Sequence, residues 1–168
     1  MEVWLREMSE EEFKIFSEYS INDYVNDYVN DLIKSSVITV KEALAEAKRE
    51  FAEMLPNGLN TQDNALRIIA DAAEEKDVGI IWYLFEMTDG IKQVFLSDFI
   101  IKEEERRKGY ASASLAEMEL DARKNGCEES VIYVWKHNPP GISLYTKCGY
   151  VAFRESDDGM YMKKRIKG

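Results

Sequence analysis

Apolar and polar positions in the first third of the chain recur with helical spacing. "VWLREM", Val3 to Met8, predicts a short strand, and Ser9 with Glu12 three residues on makes a capping box that opens a helix. Phe13 and Phe16 supply that helix's apolar face. "NDYVNDYVND", Asn22 to Asp31, repeats Tyr and Val every four positions, which predicts a helix face rather than an architectural repeat. A second capping box, Thr39 with Glu42, opens a stretch in which Leu44, Ala47, Phe51 and Leu55 (with Met54 beside it) keep a helical stripe. Pro56 and the Asn57-Gly58 turn stop it.

The pattern then changes to strands. "ALRIIADA", "GIIWYLFEM" and "IKQVFLSDFII" are rich in Ile, Val, Phe, Tyr and Trp, with "EEKD" and Thr88-Asp89-Gly90 as hairpin turns between them. Three consecutive strands with short links predict an antiparallel meander. A β-α-β passage follows: a helix from Ala111 to Asn125, stopped by Gly126, leads into "SVIYVW". A short helix, "GISLYTKCG", and a last hairpin, "YVAFRES" and "GMYMKKRI" around Asp157-Asp158-Gly159, complete the chain. The sum is an α/β fold with a mixed sheet, read as a single domain over residues 1–168 without a linker.

Composition narrows the function. A chain of 168 residues that is 45% apolar can bury a real core without metal or disulfides. No apolar run reaches the length of a membrane span, and residues 1 to 20 are acidic rather than signal-like, so a soluble, cytoplasmic protein is expected, with no membrane partner. Formal net charge is −10, the opposite of a nucleic-acid binder's balance. The spread acids read as a solvated surface, or as attraction for a cationic amine. Cys127 and Cys148 form no C-x-x-C pair and read as inert thiols, and with a single histidine, His137, no metal site is expected.

Candidate chemistry concentrates where a strand feeds a helix. "EEERRKGYASAS" brings Arg106, Arg107 and Lys108, then Gly109, then the small residues Ala111 to Ser114. The first turn of a helix has unpaired N–H groups and a positive dipole end, and small residues let an anion approach them. Two readings stand for this turn: a pyrophosphate cradle, or a solvated basic turn whose small residues serve helix–sheet packing. Neither G-x-x-x-x-G-K-[ST] nor G-x-G-x-x-G is present. Further on, "NPPGISLYTKCGY" sets Asn138 at a strand end, able to hydrogen-bond an extended ligand, and Tyr145 seven residues later, able to donate a proton to a leaving group.

These two blocks together resemble the GNAT superfamily of acyl-CoA N-acyltransferases. The matching pieces are R-x-x-G-x-A at Arg106, Gly109 and Ala111, and N-x-x-[A/G]-x-x-L-Y-x-K-x-G-[F/Y] at Asn138, Gly141, Leu144, Tyr145, Lys147, Gly149 and Tyr150. The resemblance covers residues 91 to 166 well and the helical first third in outline. Departures are Ala111 for the usual second glycine, Pro139-Pro140 after Asn138, and Gly141 where alanine is more usual. The resemblance implies a mixed, mostly antiparallel central sheet flanked by helices, its fourth and fifth strands splayed into a V that holds acetyl-CoA as cosubstrate. It implies a cradle at Arg106, Arg107, Lys108, Gly109, Tyr110, Ala111 and Ser112, and a pantetheine arm paired with the backbone of Phe99, Ile100 and Ile101. Asn138 would touch that arm and Tyr145 would protonate the departing thiolate. The acceptor would be an amine, small or on a protein, attacking the thioester directly; dimers are common in the family.

A base for the amine is less marked. Asp98 is the one charge in the apolar run "FLSDFII" and is the candidate, against the plain alternative of a salt-bridged or solvated carboxylate. Glu86, His137 and a water chain are the other options. Tyr24, Tyr28, Asp23, Asp27 and Asp31 read either as a site for a cationic amine or as packing residues and a wet face. An alternative function is a non-catalytic acyl-CoA-binding regulatory module on the same fold, and a third is a scaffold with no cofactor.

Overall fold

Asp89 and Gly90 both take positive φ, 51° and 80°, as a two-residue type I′ hairpin requires. They join β3 (Lys76–Thr88) to β4 (Ile91–Ile101) at the centre of the sheet. In this computed structural model, which describes residues 1–26 and 34–168, seven strands form one sheet. The others are β1 (Val3–Glu7), β2 (Asn64–Asp71), β5 (Glu129–Trp135), β6 (Val151–Glu155) and β7 (Gly159–Arg165). The order is β1-β2-β3-β4-β5-β7-β6. Every pairing is antiparallel except β4 with β5, which is parallel. The mixed α/β fold is as expected. The first hairpin turn is Ala72 to Glu75, ahead of "EEKD", because Asp71 accepts hydrogen bonds from Ala73 N (2.8 Å) and Glu74 N (2.9 Å) and starts the turn early.

Two features of β4 shape the site. It pairs with β5 only over Gln93–Leu96 against Glu129–Ile132, although β4 continues to Ile101 and β5 to Trp135. Past Leu96 the two strands part. At the same point Trp82 pairs with Asp98 and Tyr83 with Leu96, so Ser97 is an extra residue on β4. Such a bulge bends a strand and raises its twist. β3 and β4 are otherwise pressed together: a Cβ on Gly79 would lie 2.2 Å from the Ile100 carbonyl oxygen. Gly79→Ala is expected to cost about 3 kcal/mol, roughly 6–12 °C in Tm. A change under about 2 °C in a thermal melt would show that the strands separate freely here.

The chain divides into two compact units, Met1–Glu7 with Asp63–Gly168, and Met8–Gln62. The first holds the whole sheet with α3 (Tyr110–Lys124) and α4 (Pro139–Lys147). Leu115 and Met118 of α3 pack with Tyr83, Leu96, Ile132 and Met162 of the sheet in one apolar core. α4 begins at Pro139 rather than Gly141, because Asn138 caps it and proline suits a first helical turn. The second unit holds α1 (Glu10–Tyr24) and α2 (Val40–Met54), each opened by the expected capping box. Phe51 of α2 meets Phe13 and Phe16 at 6.2 and 6.4 Å between ring centroids. Tyr28, Asp27 and Asp31 lie outside the described residues. Among the described residues no helix is long and apolar enough to cross a membrane.

Candidate functional site

The link from β4 to α3 is built to leave backbone N–H groups uncovered. Arg107 sits in the left-handed region (φ 62°), as does Gly109 (φ 94°), which caps α3 without any side-chain hydrogen bond. The first helical bond runs from Ala113 N–H to Gly109 O at 3.2 Å, so the N–H groups of Tyr110, Ala111 and Ser112 precede the ladder. Gly109 and Ser112 are exposed and Ala111 is half-buried, so little covers this end. The α1 and α2 starts, by contrast, are closed by their own side chains.

The side chains around the turn sort themselves. Arg106 Nε donates to the Ile101 carbonyl at 3.0 Å, and Lys108 bonds Glu105 at 3.0 Å. Glu105 is buried and also meets Lys76 at 3.0 Å; these two ammonium partners hold its carboxyl below the usual range, Lys76 contributing most. Arg107 makes no such contact among the described residues and is exposed. Tyr110 turns inward: its hydroxyl donates to Asp71 Oδ2 at 2.5 Å, a bond that, with burial, lifts its pKa to about 12. Tyr110 therefore offers a ligand its N–H and not its ring.

Along the parted stretch of β4, Asp98, Phe99, Ile100 and Ile101 are all half-buried. The Asp98 carboxylate accepts from Phe99 N–H at 2.8 Å. Tyr145, on α4, is half-buried against the core, and its pKa is pushed up to about 12, first by burial, then by the charges of Asp98 and Cys148. Asp98 is thus near enough to Tyr145 for its charge to disfavour the tyrosinate. Asn138 Oδ1 accepts from Gly141 N–H at 3.1 Å, which leaves its NH₂ group for a ligand. Glycine at 141 has a local reason: a Cβ there would lie 2.6 Å from Asn138 Nδ2.

The other candidates are elsewhere. Glu86 accepts from Gln93 Nε2 at 2.7 Å, and the His137 ring stacks on Trp135 at 5.8 Å. Tyr24 lines a small cavity between α1 and α2 with Ile21, Ala47 and Phe51, its pKa raised by burial and a hydrogen bond to Glu50. Sequence reasoning missed Glu105, Asp71 and Glu119. Each is a buried carboxylate whose partner is remote in sequence or on another element, and an isolated acid in a charged stretch gives no sign of burial.

Comparisons with known proteins fit this geometry. A model of the Acetyltransferase (GNAT) family matches residues 34–150. Two Bacillus subtilis proteins named as uncharacterised N-acetyltransferases are similar. YycN is 31% identical over 167 residues, 99% of this chain and 100% of that protein, and YdgE is 29% identical over 146 residues, 87% and 90%. The YycN crystal structure superposes with a TM-score of 0.75 over 93% of this chain and 94% of that one. A PaiA N-acetyltransferase from Thermoplasma acidophilum, solved in complex with coenzyme A, gives a TM-score of 0.67 at 18% identity, covering 98% and 99%.

Proposed function

Because the chain belongs to the GNAT acetyltransferase family and is an acyltransferase on that ground, we propose that it moves the acetyl group of acetyl-CoA directly to a primary amine. The observation that carries the proposal is the uncapped start of α3 following a strand that parts from β5 at Leu96 and carries Asp98 beyond that point.

The N–H groups of Tyr110, Ala111 and Ser112, with the α3 dipole, hold the pyrophosphate, and the exposed Arg107 guanidinium adds charge. The coenzyme A complex of the PaiA neighbour supports this fit. The free edge of β4 from Phe99 to Ile101 aligns the pantetheine arm as an added strand would, and the Asn138 amide steadies it. Arg106 takes the Ile101 carbonyl and the Asp98 carboxylate takes the Phe99 N–H, so the Phe99 carbonyl and the Ile101 N–H are the groups that edge offers. Asp98 accepts the proton the amine loses as its nitrogen bonds to the acetyl carbon. As the C–S bond breaks and sulfur keeps the electron pair, Tyr145 donates its O–H proton to sulfur and regains one from solvent.

Calorimetric titration with acetyl-CoA tests the binding half, and thiol release in the presence of a panel of primary amines tests the transfer half. Binding between about 1 µM and 1 mM is expected. No binding sinks the proposal; binding with no thiol release for any amine favours the non-catalytic acyl-CoA module instead.

A further inference from the structure

Three tyrosine hydroxyls clasp carboxylates on or against α3. Tyr110 in its first turn donates to Asp71 on β2 (2.5 Å), and Tyr83 on β3 donates to Asp121 near its end (2.7 Å). The third differs. Tyr150, just after α4, donates to Glu119 Oε1 at 3.1 Å and shares a 2.7 Å hydrogen bond with Ser130 of β5. Glu119 is itself met by Lys164 Nζ of β7 at 2.7 and 2.9 Å. Ser130, Tyr150 and Glu119 are 0, 1 and 4% exposed.

Burying a carboxylate and its partners costs desolvation that an apolar cluster of the same shape avoids. Phenylalanine at 150 would fill the same space with no need of Glu119. What the polar version adds is a fixed ring position, since the Tyr150 hydroxyl is held from α3 and β5 at once, with Glu119 itself pinned by Lys164 of β7. That ring meets Tyr145 edge-on at 6.0 Å, and Tyr150 N–H donates to the Tyr145 carbonyl at 3.0 Å. Glu119 lies nine residues beyond Tyr110 on α3, about 13 Å along a rigid helix. One helix therefore carries the pyrophosphate site at its start and the anchor of Tyr145's neighbour further along.

We propose that Glu119, charge-balanced by Lys164 and acting through Tyr150, is a positioning residue that sets the Tyr145 hydroxyl against the sulfur of a ligand held at the start of α3. The inference rests on the reading of Tyr145 as donor to that sulfur. Glu119 and Lys164 touch neither substrate nor the reacting atoms.

The test needs no acceptor. Calorimetry at pH 9 compares CoA, whose alkyl thiol is partly ionised there, with desulfo-CoA, which lacks the sulfur. The groups facing the Tyr145 hydroxyl in electrostatic terms are Asp98 and Cys148, so both ligands are also titrated at pH 7. The wild type is expected to favour CoA about tenfold at pH 9 and less at pH 7, as a charge-assisted hydrogen bond would. Tyr145→Phe should abolish the preference. Tyr150→Phe and Glu119→Leu should cut it to twofold or less with desulfo-CoA affinity unchanged, and Glu119→Gln, which still accepts from Tyr150, should restore most of it. Tyr83→Phe breaks a comparable buried clasp on the same helix; it should lower Tm and keep the preference. Preferences unmoved in Tyr150→Phe and Glu119→Leu, but lost in Tyr145→Phe, overturn the positioning role alone. A preference that survives in Tyr145→Phe overturns the donor reading and the proposal with it.

Discussion

Tyr145→Phe is expected to lower kcat about 100-fold and to leave the dissociation constant of acetyl-CoA within about twofold. The two effects separate because the hydroxyl meets charge that develops on sulfur only as the C–S bond breaks. Removing it takes away an interaction made in the transition state and not in the bound ground state. The raised pKa, about 12, fixes the pH behaviour. Burial, then the charges of Asp98 and Cys148, disfavour the tyrosinate, so the neutral O–H persists well beyond the ordinary tyrosine range. Wild-type turnover should rise with pH as the amine loses its proton, with no fall below about pH 10. Tyr145→Phe should trace the same curve at a lower plateau. A kcat within threefold of wild type would remove Tyr145 from the chemistry. A wild-type decline between pH 8 and 9 that vanishes in Tyr145→Phe would contradict the raised pKa.

The parts of this picture that were legible in the sequence are those set by neighbours in the chain. Ser9 with Glu12 and Thr39 with Glu42 close helix starts over three residues, and Asp89-Gly90 supplies two positive φ angles in succession. The glycine and small residues that open α3 were visible for the same reason, although the helix starts at Tyr110 and not at Ala111. The fates of Arg106 and Lys108 were not, because a basic run looks alike whether its side chains reach a ligand, a carbonyl or Glu105. The Ser97 bulge leaves no mark in "FLSDFII", since its signal is the register of β3 against β4. The clasps are harder still: Glu119 finds Tyr150 and Lys164 at 31 and 45 positions' distance, and only the folded sheet brings them together. Local chemistry announced the uncovered start of α3; the setting of Tyr145 is a property of the tertiary fold.

Gly109 offers the sharpest test of the cradle, provided strain and charge are read apart. At φ 94° any L-residue is strained, so Gly109→Ala should lose about 1–2 kcal/mol of stability. It should not clash, because a Cβ would meet only the Met1 side chain, at 3.7 and 3.8 Å, which is ordinary contact. Acetyl-CoA affinity is then expected to fall no more than about fivefold, since the N–H groups of Tyr110 to Ser112 remain uncovered. Gly109→Glu carries the same backbone strain and adds a carboxylate at the positive end of α3. That charge suits the helix, so Gly109→Glu should be as stable as Gly109→Ala or slightly more so. For a ligand phosphate about 5 Å away it costs about 3 kcal/mol at an effective dielectric of about 20, a loss of more than 100-fold in affinity. Raising the salt concentration should recover part of it. Stability and binding are thus predicted to move in opposite senses between the two variants. Equal losses of affinity in both would mean that backbone geometry, and not an anion, governs binding here. Full affinity in Gly109→Glu would mean that the phosphates are held somewhere other than the start of α3.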